Sequence, residues 1–123
     1  MTIVGNRRKR GILAELAAAR YLQNNDIYLL ARNYSCKIGE LDIVGLDKEV
    51  LVFFEVRFRA DSGYGTPAET VTRTKQKRII RAAKCYLMAN QELRNYPCRF
   101  DLLAVTQHRG KIHISWIKHA FQT

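Results

Sequence analysis

Apolar and polar residues follow two different rhythms along this chain. Between Arg8 and Asn24 the sequence is rich in Ala and Leu at helical spacing, and "NND" at Asn24 to Asp26 stops it. "IYLLARNYS" from Ile27, "GELDIVGLD" from Gly39 and "KEVLVFFEVRFR" then read as three strands, the last two joined by a tight turn centred on Asp47-Lys48. A loop with Gly63 and Gly65 leads into "TPAE". There Thr66 can cap a helix, Pro67 suits its first turn and Glu69 completes a capping box. Helical spacing continues through Ile79, Ile80, Ala83, Tyr86 and Leu87 to about Asn90, with a break near Thr72 to Thr74. "CRFDLLAVT" and "KIHISWI" are two final strands, joined across His108-Arg109-Gly110. The order is α-β-β-β-α-β-β. A helix between the third and fourth strands predicts a crossover to a parallel neighbour, hence one mixed sheet flanked by two helices.

The third strand ends oddly. Strand periodicity puts Leu51, Phe53, Glu55, Arg57 and Arg59 on one face and Val50, Val52, Phe54, Val56 and Phe58 on the other. An apolar run therefore gives one face to an acid and two arginines. Two further acids are placed unusually. Glu15 has Gly11, Ile12, Ala18 and Ala19 as its helical neighbours, so it lies on or beside the buried stripe. Asp42 interrupts "LDIV", sharing a face with Glu40 and Val44. A turn at Asp47-Lys48 pairs Asp42 with Phe53 and leaves Glu55 diagonal to Asp42 on the same face. Two carboxylates so spaced can share a hard divalent cation, and without one they repel. Arg57 and Arg59 extend that face with phosphate-binding guanidinium groups. The alternative is a structural ion-pair cluster, with Glu15 paired to Arg32 or Arg57.

Charge narrows the partner. The 123 residues carry 21 Lys and Arg against 11 Asp and Glu, a net charge of +10. Such a balance in a small single domain, residues 1–123, favours a polyanion, nucleic acid first and anionic lipid second. Arg73, Lys75, Lys77, Arg78, Arg81 and Lys84 follow one another with no acid between Val71 and Lys84, and Lys77, Arg81 and Lys84 share a helical face. They read as a phosphate-tracking ridge, "RRKR" at Arg7 to Arg10 as further backbone contacts, and Tyr64 as a loop aromatic able to stack on a base. No apolar run is long enough to span a membrane, and "GILAELAAARYL" is broken by Glu15 and Arg20, against a signal peptide. A cytoplasmic protein is expected. Cys36, Cys85 and Cys98 form no Cys-x-x-Cys and are expected to be buried, reduced thiols. His108, His113 and His119 lack ligand spacing. Asp101 opens a core strand, where pairing with Arg99 competes with a catalytic role.

"GILAE", "ARNYSCKIGELDIV", "VFFEVRFR", "YGTPAETVTRTKQKRI" and "RFDLLAV", in this order, resemble the YraN-like bacterial family. That family is itself similar to archaeal Holliday-junction resolvases and is placed in the PD-(D/E)xK restriction-endonuclease-like superfamily. The match runs from about Gly5 to Val105, and "GELDIV" followed closely by "VFFEVRFR" is its specific part. The resemblance implies a restriction-endonuclease-like αβββαβ core, here with an extra C-terminal strand. It maps the acidic motif onto Asp42 and Glu55, adds Glu15 as an auxiliary ligand, and sets Lys75 near the site. It implies Mg²⁺ or Mn²⁺ held by Asp42, Glu55 and Glu15, with metal-activated water hydrolysing DNA phosphodiesters, branched DNA among them. A homodimer is implied too, since paired cuts need paired sites. Two departures stand out. Leu41 replaces the motif's proline, and Arg57 stands where the family usually has lysine. Arginine stays protonated and cannot act as a base, although it can hold phosphate or stabilise developing charge. The readings left open are a metal-dependent endonuclease using Asp42, Glu55, Arg57 and Glu15, a catalytically inactive nucleic-acid-binding module on a nuclease fold, and an RNA-associated or structural partner. Arg59, Lys75, Lys77, Arg78, Arg81 and Lys84 are the candidate nucleic-acid contacts.

Overall fold

The structure is a computed structural model and describes residues 2–59 and 71–122. Its elements follow the expected order. Helix α1 spans Arg7–Asn24, strands β1, β2 and β3 span Tyr28–Cys36, Gly39–Asp47 and Val50–Arg59, helix α2 spans Arg73–Ala89, and strands β4 and β5 span Cys98–His108 and Lys111–Phe121. Asn6 caps α1, its side chain accepting from Lys9 N, and Asn25 with Asp26 at φ 65° ends it. Helix α2 begins at Arg73 because Thr72 Oγ1 accepts from Lys75 N at 3.2 Å. The capping box expected at Thr66 to Glu69, the glycine loop and Tyr64 lie outside the described residues.

All five strands join one sheet in the order β1-β2-β3-β4-β5. Every neighbouring pair is antiparallel except β3 and β4, which run parallel with Leu51 opposite Cys98. Helix α2 makes that crossover, as the long connection requires. Each face buries its own core. Leu51 and Phe53 pack with Ile79, Ala82 and Tyr86 of α2. Val52 and Phe54 pack with Ala14, Ala18 and Leu22 of α1. Strand alternation thus sorts β3 between two helices on opposite faces. Gly45 lets β2 pass close to β1: a Cβ there would meet Ile27 Cγ2 at 2.8 Å and Tyr28 O at 3.1 Å. No helix among the described residues is long and apolar enough to cross a membrane.

Two expectations are corrected. Asp47 pairs with Val50, so the turn is Lys48-Glu49, one residue later than the sequence suggested, with Lys48 at φ 57°. The cysteines are not buried: Cys36 and Cys85 are half-buried and Cys98 is exposed. Cys36 ends β1 beside a turn, where its Sγ donates to Gly39 O at 3.4 Å and the two thiols of Cys36 and Cys85 hydrogen-bond.

Candidate functional site

The one-residue shift of the turn tightens the acidic pair. With Ile43 opposite Phe54, the register carries Asp42 directly opposite Glu55, not diagonal to it. The paired ladder stops at Ile43, and Asp42 takes over: its Oδ2 accepts from Val56 N at 2.9 Å. Leu41 and Val44 both pack towards α2 while Ile43 packs towards α1, so strict alternation breaks at Asp42. Its carboxylate therefore reaches both faces at the end of the sheet. It hydrogen-bonds Glu55 on one side and lines a cavity with Glu15, Glu40 and Asn33 on the other.

Glu55 is only 5% exposed. Burial, then the hydrogen bond that Glu55 donates to Asp42 and the negative charge of Asp42, push the Glu55 carboxyl from 4.5 up to about 9, against the opposing pull of Lys75 and Arg57. Glu55 is thus a neutral acid at pH 7 that donates a hydrogen bond to Asp42. Lys75 Nζ lies 3.6 Å and Arg57 Nε 3.8 Å from Glu55 Oε2. Neither cation takes the proton's place, because desolvation dominates.

Glu15 approaches from α1. Burial and then the charge of Asp42 raise its carboxyl, while Arg32 and a hydrogen bond from Asn33 lower it. Asn33 reaches it from a backbone position at φ 54°, which asparagine tolerates. Glu15 Oε1 is buried and has no hydrogen-bond partner among the described residues, Arg32 Nη2 being 3.8 Å away. The ion pair with Arg32 weighed from sequence is present but long. Among the described residues no three of His, Cys, Asp and Glu converge tightly enough to form a ready metal cluster. The pair plus an outlying, orphaned glutamate oxygen is nevertheless a hard-oxygen donor set suited to a cation that keeps waters.

The basic residues divide. Lys75, from the first turn of α2, and Arg78 line a second cavity with Glu40 on the α2 side. Lys77, Arg81 and Lys84 stand exposed along α2, as a solvent-facing ridge should. Arg59 ends β3, partly exposed. Lys75 was legible as a cation near the site, but its approach to Glu55 depends on how α2 docks, which no local pattern encodes. Asn33 and the Val56 amide were missed for a similar reason: a lone asparagine in a strand and a backbone N–H carry no sequence signal.

Asp101 belongs elsewhere. It is fully buried and accepts from Arg99 Nε at 2.9 and 3.1 Å, Trp116 Nε1 at 2.8 Å and His119 N at 3.0 Å. Arg99 Nη2 also donates to Asp47 Oδ2 at 2.9 Å. Every strong contact of Asp101 is thus structural, and it does not join Asp42 and Glu55.

Comparison with known proteins gives a family. The family described as "Uncharacterised protein family UPF0102" matches residues 14–105. A UPF0102 protein of Saccharophagus degradans is 45% identical over 111 residues, spanning 90% of this chain and 91% of the relative. One from Nitrosococcus oceani is 41% identical over 115 residues, 94% of this chain and 93% of its own. One from Pseudomonas putida is 43% identical over 116 residues, 93% of each.

Proposed function

The chain belongs to the UPF0102 family, and from the geometry of its carboxylates we propose that it is a nucleic-acid-binding protein and a metal-dependent endonuclease acting on DNA phosphodiesters, branched DNA among its substrates. The observation that supports this best is the hydrogen-bonded Asp42–Glu55 pair, Glu55 buried and Asp42 half-buried, in a chain of net charge +10. Such a pair costs stability and is kept where it does chemistry. Asp42 and Glu55 would hold Mg²⁺ or Mn²⁺, with Glu15 as an outer partner. When bound, the cation supplies Lewis-acid polarisation of a phosphoryl oxygen and activation of water.

The protein's own groups do the rest. Val56 N fixes Asp42 Oδ2, so the carboxylate cannot swing away. Lys75 and Arg57 flank Glu55 and can hold a phosphate without surrendering a proton from the guanidinium. Lys77, Arg78, Arg81 and Lys84, with Arg59, track the neighbouring backbone. A homodimer would present two such sites for paired cuts, and a cytoplasmic location goes with such a substrate.

The test is cleavage of labelled four-way junction, duplex and single-stranded DNA with Mg²⁺, Mn²⁺ or EDTA. Metal-dependent cutting by the wild type is expected, with loss in both Asp42→Ala and Glu55→Ala while folding is retained. Arg57→Lys is expected to raise a weak activity. Binding without cutting, unchanged in both acid variants, would instead favour an inactive nucleic-acid-binding module. Replacing Lys77, Arg81 and Lys84 by Gln is expected to flatten the slope of log affinity against log salt by about 2, on the order of 0.7–0.9 per lost phosphate contact. An unchanged slope in a binding titration would remove α2 from the interface.

A further inference from the structure

A cavity of about 360 Å³ lies between the first turn of α1 and the end of β3, lined by Arg7, Arg10, Gly11, Val56, Arg57 and Phe58. We propose that it is a phosphate subsite, which takes the phosphate next to the one at the carboxylates. The proposal rests on the nucleic-acid reading above and adds to it where a second phosphate sits.

Three arginines line this cavity, and among the described residues no acidic residue does. Arg7 and Arg10 are three residues apart on α1 and so share a face, and Arg57 comes to them from another element. Arg57 Nε is buried with no hydrogen-bond partner among the described residues, and the acid facing it, Glu55 Oε2, is 3.8 Å away, beyond hydrogen-bond distance. A buried, charged N–H without an acceptor is costly, and a phosphate oxygen would satisfy it.

The chain also concentrates charge here against its own interest. The first turn of α1 contains Arg7, Arg8, Lys9 and Arg10 and no acid. Helix dipoles disfavour cations at that end, and Asn6 already caps Lys9 N, so the arginines gain nothing from the helix itself. An anion between them reverses the sign of that interaction. The spacing to the carboxylates is set by one strand: Arg57 is two residues beyond Glu55, and Val56 between them bonds Asp42.

The test measures binding of a single-stranded DNA of about twelve nucleotides, with and without a 5′-phosphate, to the full chain in EDTA at several salt concentrations. Wild type, Arg10→Gln and Arg94→Gln are compared. Arg94 is an exposed, charge-matched arginine beyond the end of α2 that does not line the cavity. Arg10→Gln is expected to weaken binding about tenfold and to reduce the salt slope by about 0.7, one single-strand phosphate, with Arg94→Gln close to wild type. The same loss on both DNAs assigns an internal phosphodiester, and a loss confined to the 5′-phosphorylated one assigns a terminal monoester. Equal losses in Arg10→Gln and Arg94→Gln, or none in Arg10→Gln, overturn the subsite while leaving the nucleic-acid reading in place. No binding of either DNA by the wild type overturns that reading itself.

Discussion

Glu55→Gln is expected to make the protein more stable at neutral pH, by about 3 kcal/mol at pH 7 at most. The wild-type carboxyl ionises at 4.5 in the unfolded chain and near 9 in the fold. Below the first value both states are protonated and the group is neutral in its effect. Between the two, the folded state holds a proton that the unfolded state has released, so stability falls as pH rises, by about 1.4 kcal/mol per unit. Above the second the loss is complete. Glutamine copies the neutral acid, since its amide can donate to Asp42 as the protonated carboxyl does. The gain should therefore be absent near pH 4 and grow towards pH 8 in urea unfolding curves. Were Glu55 instead an ionised partner of Lys75 and Arg57, the substitution would destabilise, and wild-type stability would rise with pH only below about 4.5 and stay flat above it. The sign alone decides between a site held under electrostatic tension and a self-neutralising cluster. The same variant should lose cleavage, which separates function from stability at one residue.

Asp101→Asn is expected to cost about 3 kcal/mol. The carboxylate is inaccessible and collects four donor contacts from Arg99, Trp116 and the His119 backbone. Asparagine keeps the volume but removes the charge and one of the two acceptors, leaving Arg99 partly uncompensated beside Asp47. Denaturant unfolding reads the loss. DNA affinity measured on the folded fraction should stay unchanged, and a variant of wild-type stability that had lost cleavage would return Asp101 to the active centre.

Most of the architecture was legible because it is written locally. Alternation in "KEVLVFFEVRFR" and the Ala-rich stripe of α1 each have one good burial solution, and a helix between strands forces the parallel crossover. The register between β2 and β3 was not, since neither Asp47-Lys48 nor Lys48-Glu49 contains the glycine that would have fixed the turn. The true register sets Asp42 and Glu55 face to face and explains their hydrogen bond. The site was legible as a set of acids on one strand face. Its second side was legible only in part: Lys75 was expected near the site, but its approach to Glu55 depends on helix docking, and Asn33 arrives through a backbone kink at φ 54°. Cysteine is commonly buried, but Cys36 and Cys98 stand at a strand end and a strand start, and Cys85 lies half-buried on α2.

The sheet also has a seam in time. Strands β1 to β3 pair between chain neighbours, as do β4 and β5, while the contact of β3 with β4 must close a loop from Leu51 to Cys98. Closing that loop is the entropically expensive event of folding, and its reversal is the natural first breach in unfolding. Arg99 on β4 reaches across β3 to Asp47 on β2, so the ion pair straddles this seam. It acts as a clasp on this long-range join of the sheet.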